Sequence, residues 1–238
     1  SKYLEQISEK NILGELTIKE VEQSLKEYYT TKGQQNINHN ELECDFVSMR
    51  IVELLNQDNF ELSVDYLKYI HKYLFQDVYE FAGEFRKVDF SKHERILNND
   101  SVAYGDCKLL EQSLDYDISL EKNKNYNEMN IVDVINNITN FSSSIWQIHP
   151  FREGNGRSTR IWLDLMMKDN VKKVIDWNLI DKEDYLLAME RSPIKDIEIK
   201  YLLKNALTDK INDREVYMKG IDISYYYEGY TEFLIDEL

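Results

Sequence analysis

Residues 130–148 read NIVDVINNITNFSSSIWQI, and residues 149–160, which follow directly, read HPFREGNGRSTR. In the first run Ile131, Val134, Ile135, Ile138, Phe141, Ile145 and Ile148 recur at spacings of three and four, so they share one face of a helix. No ionisable residue interrupts that stripe, which predicts a central, buried helix. In the second run the helical rhythm stops at His149-Pro150, three turn formers follow (Gly154, Asn155 and Gly156), and helical spacing resumes with Ile161, Trp162, Leu165 and Met166. A buried helix, a polar loop and a second apolar helix form the centre of the expected fold.

The rest of the chain also reads as helices. There are only two prolines and eight glycines in 238 residues, and both residue types penalise helix interiors. Ile18, Val21, Leu25 and Tyr28 lie on one helical face, and residues 31–40 read as a polar loop. A helix is expected from about Glu41 to Leu55, with Phe46, Ile51 and Leu54 apolar. Another starts after Ser63, an N-cap residue, and carries Tyr66, Leu67, Ile70, Tyr73 and Leu74. Residues 85–97 break the pattern and predict a short β-hairpin or extended flap, with Val88, Phe90, Ile96 and Leu97 flanking a charged centre. Helical spacing is expected again after about Ser101, then over about 181–191, 196–207 and 213–227. The domain reading is a helical arm over 1–60, a catalytic core over 61–212 and a C-terminal helix with tail over 213–238.

Composition excludes several functions. A net charge of −15 opposes a phosphate backbone, so no nucleic-acid partner is expected. Cys44 and Cys107 show neither metal spacing nor a disulfide framework, and His39, His71, His93 and His149 form no ligand cluster. No signal peptide and no apolar run near the ~20 residues of a membrane span is visible, which points to a cytoplasmic protein without a membrane partner.

The run from His149 to Arg160 has the parts of a phosphate site. Glycines let the backbone approach a ligand, and a helix start directs unpaired N–H groups and the positive dipole end at it. Arg157 and Arg160 stand three apart on that first turn. Glu153 would repel phosphate unless a divalent cation lay between them, and Mg²⁺ on one carboxylate plus substrate phosphates is the usual arrangement. His149 is a base suited to taking a proton from a hydroxyl near neutral pH. Each feature alone is commonplace as a cap, a turn or a solvated face; twelve residues holding all of them after a buried helix are not. The run is no P-loop, because Phe151 occupies the place of that motif's first glycine.

The run resembles the Fic-domain signature, H-P-F-x-[DE]-G-N-G-R-x-x-R, at every specified position. Residues 70–86, IHKYLFQDVYEFAGEFR, are similar to the segment before that family's flap, and residues 161–207, with WLDLMMK and AMERSP, to the helices after its motif. The resemblance implies an all-α Fic-domain helical bundle with a small β-hairpin flap. It implies a protein adenylyltransferase that moves AMP from ATP to a Ser, Thr or Tyr hydroxyl of a target protein. His149 would deprotonate the hydroxyl, and Glu153 would hold Mg²⁺. Gly154, Asn155 and Gly156 would surround the α- and β-phosphates, with Asn155 on the α-phosphate. Arg157 would help bind the phosphates, and Arg160 would take the γ-phosphate. The flap residues Ser91, Lys92, His93, Glu94, Arg95 and Ile96 would clamp the target by strand addition. Phosphate-transferring relatives carry lysine in place of Gly156, so its presence favours AMP transfer.

Residues 224–230, SYYYEGY, resemble the family's inhibitory pattern S-x-x-x-E-[GN]. Ser224 and Glu228 lie four apart on one helical face, and the resemblance implies that Glu228 pairs with Arg160 and blocks the γ-phosphate position. Tyr225 is the implied position of self-modification, and self-association is a further expectation of this subclass. Two alternatives stay open: a nucleotide-binding regulatory module without turnover, and removal of AMP by the same site. The piece NILGELTIKEVEQSL (11–25) reads as a helical arm, or as a decayed inhibitory helix with Leu13 where a glutamate would stand.

Overall fold

The computed structural model describes residues 1–32, 37–89, 91–93, 101–213 and 216. It is mostly helical, as the sequence predicts. The elements run α1 (Lys2–Ile12), α2 (Ile18–Lys32), α3 (His39–Leu55), α4 (Val64–Phe75), β1 (Ser91–His93), β2 (Ser101–Ala103), α5 (Leu110–Lys122), α6 (Ile131–Ile148) and α7 (Asn155–Asn170). Then come β3 (Val174–Ile175), α8 (Lys182–Arg191), α9 (Ile197–Ala206) and β4 (Leu207–Thr208). Caps explain several starts. Ser63 accepts from the Tyr66 amide at 3.1 Å, and Asn130 accepts from the amides of Val132 and Asp133. Asp181 does the same for α8.

α6 is the axis. It packs against α5, α7 and α9, while α7 also meets α3 and α4. Val134, Ile135, Ile138, Phe141, Ile145 and Ile148 are all buried in the main core. Each such side chain contributes about 1.5–3 kcal/mol when taken out of water. Ile131 departs from the expected stripe: it is 41% exposed, as the first turn of α6, residues 131–133, is exposed. A smaller core joins α1, α2 and α3 through Ile7, Val21, Leu25, Tyr29, Phe46 and Met49. α3 has two apolar faces, for Val47, Ile51, Leu54 and Leu55 belong to the main core instead. Arg50 fastens α3 to α4, donating to the Leu74 carbonyl at 3.0 Å and pairing with Asp77.

The hairpin exists but is displaced along the chain. β1 pairs antiparallel with β2 in the register Ser91↔Ala103, Lys92↔Val102, His93↔Ser101. The return strand therefore lies beyond residue 97, and α5 starts at Leu110 rather than near Ser101. Apolar residues marked the strand chemistry, whereas register depends on the partner strand. β3 and β4 form a second two-stranded ladder beside α9. The helix expected over 213–227 falls almost wholly outside the described residues. Among those described, no helix is long and apolar enough to cross a membrane.

Candidate active site

The loop between α6 and α7 is held from every side. His149 is the C-cap of α6, in the left-handed region at φ 48°, ψ 65°. A residue other than glycine persists there only when its surroundings over-determine it, at a cost of about 1–3 kcal/mol. Here the surroundings are explicit. Its amide donates to the Ile145 carbonyl at 3.1 Å, and its own carbonyl accepts from Arg86 Nε at 2.8 Å. The half-buried imidazole stacks on Tyr104 at 4.2 Å and meets the edge of Trp146 at 5.9 Å between centroids. Beyond Tyr104 and Trp146 a cavity of about 740 Å³ opens, also lined by Gly105, Gln112, Gln147 and Glu190.

Arg86 is the principal fastener. Its side chain is fully buried and donates to the carbonyls of His149, Ile148, Val88 and Gly105, with Asp89 at 3.4 Å. A guanidinium at the end of α6 satisfies orphan C-terminal carbonyls and the negative dipole end together. It also ties both stems of the hairpin to the loop. Gly105 permits this, since a Cβ there would lie 3.3 Å from the Ile148 carbonyl oxygen.

The loop itself is closed by Asn155. Its amide accepts from the Phe151 N–H at 2.8 Å and donates to the Phe151 carbonyl at 2.7 Å. The sequence reading gave Asn155 a phosphate contact; the structure adds a staple across the turn. Phe151 is fully buried, stacked on His71 at 3.9 Å. Gly154, at φ 76°, is the N-cap of α7 and brings no side chain to cap it. A Cβ on Gly154 would sit 2.5 Å from Phe75 Cε2, so glycine is required by space as well as by conformation. The first-turn amides of α7 thus start beneath a residue with no side chain, the arrangement that receives anions.

The two arginines have different neighbours. Arg157 is fully buried, ion-paired with Glu43 at 2.6 Å and lying over Phe75 at 4.7 Å. Arg160, 6% exposed, lies over Trp177 at 5.9 Å. Asp164, one turn later and also buried, accepts from Trp177 Nε1 at 2.9 Å. Burial pushes its carboxyl up to about 7, against the opposing influence of Trp177 and the Arg160 charge. Glu153 is half-buried, and its carboxylate accepts from the Gly154 amide at 3.1 Å. Of the flap residues, Ser91, Lys92 and His93 form β1, while Glu94, Arg95 and Ile96 lie outside the described residues. So do Ser224, Tyr225 and Glu228.

His71 was passed over in the sequence because it belongs to no ligand cluster. It is fully buried on α4, accepts from the Gly83 amide at Nδ1 (2.8 Å) and holds the Glu153 carbonyl through Nε2 (2.9 Å). The Gly83 amide can only donate, which fixes the proton on Nε2. Burial lowers its pKa from 6.5 to about 4. The unfolded chain therefore takes up a proton that the folded chain refuses. The stability tied to neutral His71 is complete above pH 6.5 and is lost as the pH falls towards 4, by about 3 kcal/mol at most. In paired urea titrations the parent should lose about 3 kcal/mol relative to His71→Gln between pH 7 and 4, a difference in which the opposite contribution of Asp164 cancels. Equal slopes in the two proteins would remove the assignment.

The comparisons agree with this geometry. Residues 61–167 match the family model described as the Fic/DOC family. The chain is 26% identical over 164 residues to the protein adenylyltransferase VbhT of Bartonella schoenbuchensis, covering 68% of this chain and 33% of that one. It is 23% identical over 153 residues to the probable protein adenylyltransferase Fic of Escherichia coli, covering 63% and 72%. It thus spans about a third of the length of the first of these relatives. Among solved structures, it superposes on the BepC effector of Bartonella tribocorum with bound AMPPNP at a TM-score of 0.61. Identity there is 18%, over 74% of this chain and 90% of that one. An N-terminal Fic domain from Bartonella quintana with bound ADP gives 0.62 and 19%, over 78% and 91%. The loop, the helices flanking it and the hairpin lie in the segment, residues 61–167, that matches the Fic/DOC family model.

Proposed function

We propose that this protein is a protein adenylyltransferase, moving AMP from ATP to a hydroxyl side chain of a target protein. The observation that carries the reading is the loop: an intact HPFREGNGR run that places His149 at the end of α6 and starts α7 at Gly154, a cap residue without a side chain. The curated relatives named as adenylyltransferases support it.

The triphosphate would lie along the first turn of α7, its oxygens on the amides after Gly154 and its γ-phosphate towards Arg160. The target hydroxyl oxygen forms a bond to the α-phosphorus, the bond to the bridging oxygen breaks, and pyrophosphate leaves. His149 accepts the hydroxyl proton. Catalysis is positioning plus charge stabilisation. The donor set fits Mg²⁺: a single half-exposed carboxylate, Glu153, turned to the helix start, leaves the remaining positions to phosphate and water. Such an ion would supply charge neutralisation on the phosphates. The hairpin β1–β2 would present the target segment to His149 by strand addition.

We further propose inhibition by the C-terminal segment, with Glu228 taking the Arg160 guanidinium in place of the γ-phosphate and Ser224 steadying that helix. The buried position of Arg160 supports the competition, because a desolvated guanidinium strongly favours one anionic partner. Glu228→Gly should raise label transfer from α-labelled ATP by at least tenfold, read by gel autoradiography on a cell lysate. Mass spectrometry of the same reaction would report whether Tyr225 is modified. Unchanged labelling in Glu228→Gly would remove the inhibitory reading.

A further inference from the structure

Glu43 lies on α3, outside the segment matched to the family, yet it reaches the catalytic loop. Its carboxylate meets Arg157 Nη1 at 2.6 Å, with the two side chains 7% and 0% exposed. Tyr79 donates its phenol to the same carboxylate oxygen at 3.0 Å. Phe75 stacks against the Arg157 guanidinium and fills the space where Gly154 would carry a Cβ. α3 is itself fixed to α4 through Arg50, so Glu43 is presented from a rigid support.

We propose that Glu43 is a positioning residue for the anion-binding loop. It draws the Arg157 side chain inward and thereby fixes the first turn of α7, so that Arg157 serves the phosphates through its backbone amide rather than its guanidinium. An unanchored guanidinium at this position would turn to whatever anion was near and carry the helix start with it. The consequence for nucleotide rests on the adenylyltransferase reading; the anchoring of the loop does not. The segment before residue 61 thus completes the site instead of lying apart from it.

The test is amide hydrogen exchange on the full chain, with calorimetric titration of Mg-ATP in the Glu228→Gly background. Glu43→Gln should speed exchange of residues 151–158 at least tenfold relative to α5 and α9, and weaken Mg-ATP binding at least tenfold. Glu43→Gln combined with Arg157→Met should exchange no faster than Glu43→Gln alone, since the two side chains act as one unit. Additive effects, or exchange rising equally along the whole chain, would overturn the proposal, leaving only a structural ion pair. If Glu43→Gln does not fold, Tyr79→Phe, which removes only the phenol bond, should give the same localised pattern at smaller amplitude; a uniform pattern there overturns it too. Absence of Mg-ATP binding in the parent would refute the nucleotide reading, while the exchange pattern would still decide the role of Glu43.

Discussion

His149→Asn should lower AMP transfer by about 10²–10⁴-fold, the range expected when a general base is lost, while Mg-ATP affinity stays within about threefold of the parent because binding and proton transfer use separate groups. Asparagine is the better replacement because position 149 is left-handed, at φ 48°. Asparagine tolerates that conformation, whereas alanine adds strain to the loss of the base. The contrast between the two measurements carries the argument. The backbone of residue 149 anchors the end of α6 through Ile145 and Arg86 whatever its side chain. The imidazole, held between Tyr104 and Trp146, is not among the first-turn amides that would receive phosphate. Both quantities should be read in the Glu228→Gly background, with α-labelled ATP for transfer and calorimetry for affinity. Target labelling at the parental rate would refute the base assignment, and equal loss of binding and transfer would mean that the loop had collapsed.

Arg86→Met should destabilise the fold by roughly 4 kcal/mol, measured from the urea midpoint at constant slope. Methionine preserves much of the aliphatic length, so the loss isolates the guanidinium. Four carbonyls would lose their donor at once: His149 and Ile148 at the end of α6, and Val88 and Gly105 at the stems of the hairpin. Buried acceptors without partners cost about 1–3 kcal/mol each, and they share one donor group, so the sum saturates. Arg86→Lys should cost about half as much, since an ammonium cannot span a planar fan of acceptors. A loss below about 1 kcal/mol for Arg86→Met would show that the loop and hairpin are held by packing instead.

Much of the site was legible before the fold. The stripe from Val134 to Ile148 located α6, because burial on one face of a helix must repeat every three to four residues. Ser63 declared the start of α4, since its hydroxyl can satisfy an amide three residues ahead. The run from His149 to Arg160 announced an anion site through residue types whose chemistry is local: glycine, a helix start and a base. By contrast, the return strand at Ser101–Ala103 was misplaced, because a strand's register belongs to its partner and not to its own residues.

Which residues are apolar along each helix, where capped helices such as α4 begin, and that a glycine-rich loop follows a buried helix could all be read from the order of residues. What holds that loop came from packing between distant elements: His71 on the Glu153 carbonyl across 82 residues, Arg86 on the end of α6, and Glu43 on Arg157. The physical reason is that periodicity records which face of an element is buried, whereas a polar side chain's partner is whatever backbone or charge the packing of other elements brings within about 3 Å.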